Sequence, residues 1–567
     1  MAGSAWAPFR HRLFAAMWGA QFVSNVGSWM QTVAAQWLML SLTSSAAYVA
    51  LVQTAAGLPV VLFAVLAGTV GDLVDRRRFL LVTQALMLAA AAALGALALA
   101  GLVTPWVLLA LLFAAGTGQA LTSPTWQTLQ PELVSPAERP QAISLGAVNQ
   151  NLARAVGPAI GGVLLAATSS GTVFLVNAAT FAAVLAVLFA WHSAVRPPDV
   201  LPREHVGEAI RAGGRYVAAS PALRVILIRA ALFVFFASAV WALLPLTAED
   251  ALHLGSGGYG LLLGAVGIGA VAGAVLLPRL RVRLSPDAML TVGSLGMAVI
   301  TLALAFAHVV VVAALALVIG GTCWILALST LNSVYQLSLP QWIKARGMSF
   351  YLVVFQGGNA IGSAVMGIAA VHAGLSPTLA IAAAGLALGP LAALRWRFAD
   401  IAPEGLLPAG DWPAPHLVSG SSVNGEPGTN SEPGTNGEPR SAEEAAAPAG
   451  PVLVSVRYQA RSGQAEELMA ALQDTRFSRR RTGATSWRAW RDAADPDRIL
   501  EQFVVASWTA HLRQHERVTR RDQARLDRLA TMSDPDHPPV VTHWLASTAP
   551  RHPTPDSAPP SSRAEPS

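Results

Sequence analysis

Cysteine, lysine and charged residues are all scarce in this chain of 567 residues. The one cysteine, Cys323, excludes an internal disulfide framework and a CxxC metal site. Charged residues make up 12% of the chain, against about 25% in ordinary soluble proteins, which excludes a single soluble enzyme. The Gly-x4-Gly-Lys-Ser/Thr signature of nucleotide-binding loops is absent too, so we expect no ATP hydrolysis, no cofactor and no metal ion.

The remaining charges are unevenly distributed along the chain. Residues 1–398 hold 20 Lys and Arg against 10 Asp and Glu, whereas residues 399–567 hold 18 against 22. The first part is therefore apolar and net +10, and the second is net −4 with the composition of a soluble domain. Because the arginines of the first part lie at the ends of apolar runs and form no single basic face, no nucleic-acid partner is expected.

Twelve apolar runs are each long enough to cross a bilayer, which takes about 20 residues. They lie at 14–42, 46–71, 79–101, 105–127, 143–168, 172–191, 223–247, 258–277, 288–307, 309–336, 347–372 and 376–395. With this count the basic loop residues all fall on one side, which is the cytoplasmic side of a membrane protein. We therefore predict an all-α, multi-pass membrane protein with 12 transmembrane helices and both termini in the cytoplasm.

The two sets of six runs repeat each other at a fixed offset of 205 residues. Gly116 aligns with Gly321 and Arg76 with Arg281, and such glycine and loop-arginine matches are rarer by chance than alanine or leucine matches. A parallel 6+6 repeat is typical of transporters whose substrate site lies near the bilayer midplane between the halves. The predicted bounds are 10–191 and 223–398 for the halves, and 192–222 for a cytoplasmic linker that contains an amphipathic helix.

Polar residues form a stripe along the first apolar run. Gln21, Asn25, Trp29, Thr32 and Gln36 are spaced by 4, 4, 3 and 4 residues, so they share one helical face. Since a polar stripe is costly in lipid, this face is predicted to line an internal substrate cavity. Hydrogen bonding between helices is the alternative explanation.

An arginine lies inside the fifth run, at Arg154, close to Asn151. An arginine in the membrane costs at least about 2.5–3.5 kcal/mol on insertion scales, so it needs a function or a partner. At the offset of 205, these two positions correspond to Gln356 and Asn359. We predict that all four line the cavity and that Arg154 attracts anionic or polyhydroxylated groups, the alternative being a structural arginine that bonds helix ends. Arg229, nearer an end of its run, is predicted to extend to the membrane surface.

Two motifs resemble those of the major facilitator superfamily, in the bacterial exporter branch that contains enterobactin and drug exporters. Gly68, Asp72, Arg76 and Arg77 match the loop signature G-x3-D-R-x-G-R-R at its first Gly, its Asp and both basic positions. Gly157, Pro158, Gly161 and Gly162 match the G-P-x2-G-G end of the exporter signature in the fifth span.

The resemblance implies a role for each motif. The loop motif would form a cytoplasmic gate, and the alternative is a charge cluster that only sets the orientation in the membrane. The glycine-proline motif would form a helix hinge or a tight seam, and the alternative is ordinary packing of small residues. The family's arginine in the fourth span, part of its usual proton-coupling route, is absent here. No Asp or Glu lies in the middle of any span, so Asp72 and Glu132, near the cytoplasmic face, are the candidates for proton coupling. The implied partners are a small-molecule substrate, protons and the lipid bilayer of a bacterial plasma membrane.

Residues 399–567 are predicted to hold a linker, a small domain and a tail. Residues 399–450 contain a repeat of Glu-Pro-Gly-Thr-Asn without apolar content, and residues 547–567 are similarly polar, so both are predicted to be disordered. Strands at 452–458, 485–491, 499–507 and 540–545 and helices at 463–480 and 509–532 give residues 451–546 the order β-α-β-β-α-β, which is a ferredoxin-like α+β domain.

The small domain resembles the dimeric antibiotic-biosynthesis-monooxygenase type, which implies that it dimerises. His511 and His515 are four residues apart on one predicted helix, but the H-E-x-x-H order of a zinc site is absent. Trp487, Trp490, Trp508 and Trp544 are interpreted as core residues, with a pocket as the alternative.

Together these features predict a secondary active transporter, not an enzyme. Its expected activity is efflux of a small amphipathic compound such as a siderophore, an antibiotic or a drug, by proton antiport and alternating access. The alternatives are a membrane-tethered, cofactor-free enzyme domain coupled to a transporter, and an importer.

Overall fold

A computed structural model describes residues 6–73, 75–135, 138–191, 206–398, 403–407, 409 and 450–546. The chain divides into two compact units, Met1–Ile401 and Ala402–Ser567. The side chains of Gly68, Asp72 and Asn151 lie outside the described part of the structure, as do most of the predicted linker and the tail.

The described part of the first unit is built from helices. They are α1 Arg12–Leu42, α2 Ala46–Leu73, α3 Arg76–Leu99, α4 Pro105–Glu132, α5 Arg139–Ala167, α6 Ser170–Ala190, α7 Val206–Ala218, α8 Pro221–Leu246, α9 Ser256–Arg283, α10 Pro286–Ala305, α11 Val310–Leu337, α12 Lys344–Ala373, α13 Leu375–Leu388 and α14 Ala392–Arg395. Within the described ranges, nine helices are long and apolar enough to cross a membrane: α2, α3, α4, α6, α8, α9, α10, α11 and α12. Two helices outside this set, α1 and α5, carry the polar residues described below.

Several helices begin where the sequence supplies a cap. Thr104, Ser169 and Ser285 each accept a hydrogen bond from a backbone N–H of the first turn of α4, α6 and α10. Asp75 caps α3 in the same way. Such side chains satisfy donors that the helix itself leaves unpaired, and proline at the first position of α4 and α10 sets the helical φ without losing a bond.

The helix bounds recur along the first unit, but with two offsets. α4 and α11 begin at 105 and 310, which are 205 residues apart, whereas α2 and α9 begin at 46 and 256, which are 210 apart. The difference arises in the third helix of each set, because α10 has 20 residues and α3 has 24, about one turn more. The alignment of Arg76 with Arg281 was therefore wrong: Arg76 opens α3, and Arg281 lies in the last turn of α9.

Helices α1–α6 pack against helices α8–α13 mainly through α2 with α12 and α5 with α9. Two close approaches define these crossings. A Cβ on Gly162 of α5 would lie 2.2 Å from Gly260 Cα of α9, and a Cβ on Gly367 of α12 would lie 2.4 Å from Ala50 Cβ of α2. We call the end of the bundle where these residues meet the far end; it is opposite the end where α1, α5 and α12 begin.

Helix α7 lies within the predicted linker and packs on α12. Ala212, Tyr216 and Val217 are buried, while Arg211 is exposed. Tyr216 meets Trp342 edge to face with ring centroids 5.5 Å apart. The apolar side of this amphipathic helix is thus covered by protein.

The second unit holds an antiparallel sheet with three helices. Its strands are β1 Val452–Gln459, β2 Ser486–Arg491, β3 Arg498–Val505 and β4 Val540–Leu545, in the order β2-β3-β1-β4, and its helices are α15 Ala465–Thr482, α16 Trp508–Glu516 and α17 Arg520–Met532. The prediction of one helix over 509–532 was wrong. Thr519 forms a capping box with Asp522 that starts α17 anew after α16 has ended.

The described part of the predicted linker packs on this unit. Leu407 O accepts a hydrogen bond from Arg520 N at 2.9 Å, and Ala409 N donates one to Val518 O at 3.0 Å. The short helical turn Pro403–Leu406 lies beside α17. Residues 403–407 and 409 therefore pack on the small domain.

Candidate functional site

The first part of the polar stripe on α1 forms a chain of amides with α5. Gln21 Nε2 donates to Asn25 Oδ1 at 2.8 Å, and Asn25 Nδ2 donates to Asn149 Oδ1 at 2.8 Å. Asn149 Nδ2 in turn donates to Trp18 O at 2.9 Å. All three amide side chains are buried, and sequence analysis did not identify Asn149, although it lies one helical turn before Ala153 and Arg154 on α5.

The next part of the stripe meets Arg154. The Arg154 guanidinium carbon lies 5.3 Å from the centroid of the Trp29 ring, within cation–π range. Its Nε is buried and has no hydrogen-bond partner among the described residues. A Cβ on Gly157 would lie 2.6 Å from Trp29 Cβ, so the glycine one turn after Arg154 makes room for the indole.

Gln36, the last member of the stripe, is placed differently from the others. Its Nε2 donates to Trp241 O of α8 at 2.9 Å, and its Oε1 accepts from Tyr259 Oη of α9 at 2.6 Å. Gln36 is 2% exposed, Tyr259 is fully buried, and Tyr259 stacks on Trp37. This residue thus joins the two sets of helices at the far end.

Gln356 and Asn359 lie on α12, where both are partly buried. Gln356 faces α2: a Cβ on Gly57 would lie 3.7 Å from Gln356 Nε2. Nearby, Thr54 Oγ1 donates to Ala360 O at 2.8 Å, a further hydrogen bond between the two sets of helices. Among the described residues, no hydrogen bond or ring contact joins Gln356 or Asn359 to Arg154.

The basic residues of the loop motif bind within the first set of helices. Arg76 Nη1 lies 2.8 Å from Glu132 Oε2 at the end of α4. Arg77 donates to Leu188 O at 2.9 Å and to Phe189 O at 2.6 Å, in the last turn of α6. A cation is favoured there because the helix dipole places partial negative charge on these carbonyl groups.

The four residues of the glycine-proline motif lie in one continuous helix, α5, which runs through Pro158. Each glycine faces a neighbour at short range. Gly157 faces Trp29, Gly161 faces Met30 at 2.8 Å from a built Cβ to Met30 Cα, and Gly162 faces Gly260. These contacts form a tight seam of α5 with α1 and α9.

Arg229 is buried and pairs with protein groups at the start of α10, and its extension to the membrane surface stays a prediction. It is 4% exposed and forms an ion pair with Asp287, in the first turn of α10. Its guanidinium carbon lies 4.0 Å from the Phe398 ring centroid, and Phe398 N donates to Asp287 Oδ2 at 3.2 Å. A buried arginine requires a counter-charge, and Asp287 was the acidic residue available at the start of a helix.

The small domain has two buried polar clusters. Glu501, fully buried, accepts hydrogen bonds from Arg479 at 3.1 and 3.2 Å, from Trp487 Nε1 at 2.9 Å and from Tyr458 Oη at 3.1 Å. Burial opposes the ionisation of Glu501, but Arg479 and the other donors outweigh it and hold its pKa below the ordinary value.

The second cluster contains the histidines. His511 is buried, its Nε2 lies 2.9 Å from His543 Nε2, and its Nδ1 lies 3.1 Å from Gln514 Oε1. Burial lowers the pKa of His511 to about 4 and also lowers that of His543. The described residues contain no group of three His, Cys, Asp or Glu suited to a metal ion. Of the four tryptophans, Trp487 and Trp508 are buried, whereas Trp490 and Trp544 are exposed.

Comparison with known proteins finds one family over most of the chain. Residues 3–429, and again residues 423–551, match the transmembrane secretion effectors, a family of the major facilitator superfamily. The second match covers the small domain.

Individual relatives are similar over part of the chain. The staphyloferrin A transporter of Staphylococcus aureus is 30% identical over 172 residues, 30% of this chain and 43% of that protein. The enterobactin exporter of Escherichia coli is 27% identical over 261 residues, 46% of this chain and 61% of that protein. The enterobactin exporter of Citrobacter koseri is 26% identical over 386 residues, 67% of this chain and 89% of that protein. The chain thus spans less than half of the first relative and about three fifths of the second.

Solved structures are similar in fold alone. A bacterial homologue of the human lysosomal transporter Spinster, in an inward-facing and unoccupied conformation, gives a TM-score of 0.55 at 15% identity over 70% of this chain and 99% of that one. A POT family transporter in complex with 5-aminolevulinic acid gives 0.56 at 12% identity over 68% and 96%.

Proposed function

The chain belongs to the transmembrane secretion effector family of the major facilitator superfamily, and we propose that it exports a small amphipathic compound, such as a siderophore, an antibiotic or a drug. The observation that carries this proposal is Arg154, whose Nε lacks a described partner beside the Trp29 ring. A cation inside an apolar bundle with a buried donor that no described residue satisfies is a functional group by default, and it would attract an anionic or polyhydroxylated cargo. The siderophore-related names of the relatives support this choice of cargo.

We further propose 12 transmembrane helices in a 6+6 arrangement, with both termini in the cytoplasm of a bacterial cell. The recurrence of α4 and α5 as α11 and α12 supports the arrangement, as do the paired crossings at Gly162 and Gly367. Asn151, Gln356 and Asn359 remain proposed cavity residues. Alternating access would open in turn the far end and the opposite end, where α1, α5 and α12 begin. The seam at Gly157–Gly162 would be the hinge, and Arg76 and Arg77 would lie near the cytoplasmic gate with Gly68 and Asp72.

Proton antiport is proposed as the energy source, with Asp72 and Glu132 as candidate coupling groups. The pairing of Glu132 with Arg76 supports a role for Glu132, because protonation of that carboxylate would remove the charge that holds Arg76.

For the small domain we propose a ferredoxin-like fold that dimerises and carries out no chemistry. The order β2-β3-β1-β4 supports the fold. The sheet face away from the helices supports an association through the sheet, because it exposes Trp490, Val540 and Trp544. The alternative, a tethered enzyme, is disfavoured by the burial of His511.

Transport from the cytoplasmic face of inverted vesicles tests the proposal. Accumulation of enterobactin is compared for the wild type, Arg154→Ala, Asp72→Asn and the surface control Arg211→Ala, with and without a protonophore. Accumulation that needs the gradient and Arg154, but not Arg211, is expected. Full activity of Arg154→Ala would refute the cargo site, indifference to the protonophore would refute antiport, and movement only in right-side-out vesicles would favour the importer.

A further inference from the structure

The amide chain between α1 and α5 has a direction that one backbone atom fixes. Trp18 O can only accept, so the Asn149 atom that faces it must be the NH2 group. Asn149 then presents its oxygen to Asn25, and Asn25 presents its oxygen to Gln21. Turning any one of these amides around would place two donors or two acceptors against each other.

It follows that the chain ends in an unpaired acceptor, Gln21 Oε1. This oxygen is buried and has no partner among the described residues, and the Gln21 side chain is 6% exposed. A buried acceptor without a donor is costly, more so in an apolar bundle where water is scarce. The position therefore favours a bound molecule that supplies an O–H or N–H group.

The surface that α1 and α5 form together, here called the wall, also carries Arg154, a cation that complements the acceptor at Gln21. It lies over Trp29, which is eight residues beyond Gln21 on α1 and therefore about 12 Å further along the helix axis. Asn149 and Arg154, both on α5, stand beside Asn25 and Trp29 respectively. The wall thus presents a hydrogen-bond acceptor and a cation about two turns apart.

We propose that Gln21 Oε1 is a second binding subsite, which accepts a hydrogen bond from a hydroxyl or N–H group of the cargo. This inference rests on the proposed function, because the anionic group of the same cargo would lie at Arg154. The cargo class is then an elongated anion whose hydrogen-bond donor lies roughly two helical turns from its charge. The other amides of the chain hold Gln21 in place.

Two synthetic probes test this subsite. The first is a dihydroxybenzoyl-aminohexanoate, with a carboxylate at one end and two hydroxyl groups at the other, and the second is its dimethyl ether, which keeps the carboxylate and lacks the donors. Their dissociation constants are measured by titration calorimetry on the purified full-length protein. The wild type is expected to prefer the hydroxyl probe by about 5- to 150-fold, the range that an unsatisfied buried acceptor gives.

The variants separate the subsite from the anion site. Gln21→Met, which removes the acceptor oxygen, should reduce the preference to about one. Gln84→Met is the matched control, since Gln84 is also a buried glutamine with an unpaired Oε1 but lies on α3. Arg154→Met should weaken both probes equally and leave the preference unchanged.

Each remaining outcome is decisive. An unchanged preference in Gln21→Met, a loss of it in Gln84→Met, or equal binding of both probes by the wild type would overturn the subsite. Loss of the preference in Gln21→Met together with no effect of Arg154→Met would keep the subsite and refute the anion site. Failure of the wild type to bind either probe would overturn both.

Discussion

Substitution of Gln36 by leucine is predicted to favour opening of the far end of the helical bundle. The Gln36 amide bonds Trp241 O and Tyr259 Oη across the two sets of helices, and its surroundings are buried. Opening that end must break both bonds. A buried hydrogen bond contributes about 0.5–1.5 kcal/mol net, so their loss should change the equilibrium between closed and open forms by about 1–3 kcal/mol, or roughly 5- to 150-fold.

The assay uses the low cysteine content of the chain. Replacing Cys323 by serine gives a cysteine-free background, into which Thr54→Cys introduces one thiol between α2 and α12. The rate of labelling by a membrane-impermeant maleimide reports how often this end opens. Gln36→Leu should raise that rate by roughly 5- to 150-fold and Tyr259→Phe, which removes one bond, by roughly 2- to 13-fold.

Gln31→Leu is the matched control for this experiment. Gln31 is also a buried glutamine of α1, but it accepts a hydrogen bond from Asn177 of α6, within the same set of helices. Its substitution should leave the labelling rate unchanged. The reasoning fails if Gln36→Leu does not accelerate labelling, or if Gln31→Leu accelerates it equally.

Three further predictions follow from buried charges and close contacts. Asp287→Asn should destabilise the protein by about 3–5 kcal/mol because it leaves Arg229 buried without a counter-charge. Thermal unfolding in detergent measures this loss. An equal effect of Asp250→Asn, at an exposed acid, would contradict the prediction. The pKa of His511 is about 4 in the folded domain, below the ordinary 6.5. As the pH falls, the unfolded state therefore takes up the proton first, and the free energy of unfolding of the small domain should fall by about 3 kcal/mol between pH 6.5 and 4. Hydrogen exchange of β4 and α16 in the full-length protein checks this loss, which should shrink in His511→Gln. Gly162→Leu should prevent close packing of α5 on α9 and abolish transport while Gly19→Leu, at a glycine with open space around it, should not; normal transport by Gly162→Leu would refute the tight seam.

The amino-acid sequence by itself determined the features that depend on local spacing. The stripe on α1 is a consequence of its residue intervals, and the glycines of α5 are close-packing positions because they carry no side chain. The family could also be identified from the sequence, since its motifs are short and contiguous. Whether Asn151, Gln356 and Asn359 serve a cavity stays a prediction.

Only the tertiary structure decided which distant residues pair. Hydropathy counts could not show that α10 is one turn shorter than α3, that Gln36 bonds two helices of the other set, or that Asp287 neutralises Arg229. Gln36 and Tyr259 are 223 positions apart in the chain, and Arg229 and Asp287 are 58 apart. The spacing of residues along one helix fixes the helical face on which each residue lies. Its partner on another helix depends on the angle and position at which the helices cross, and the summed packing of the whole bundle sets that crossing.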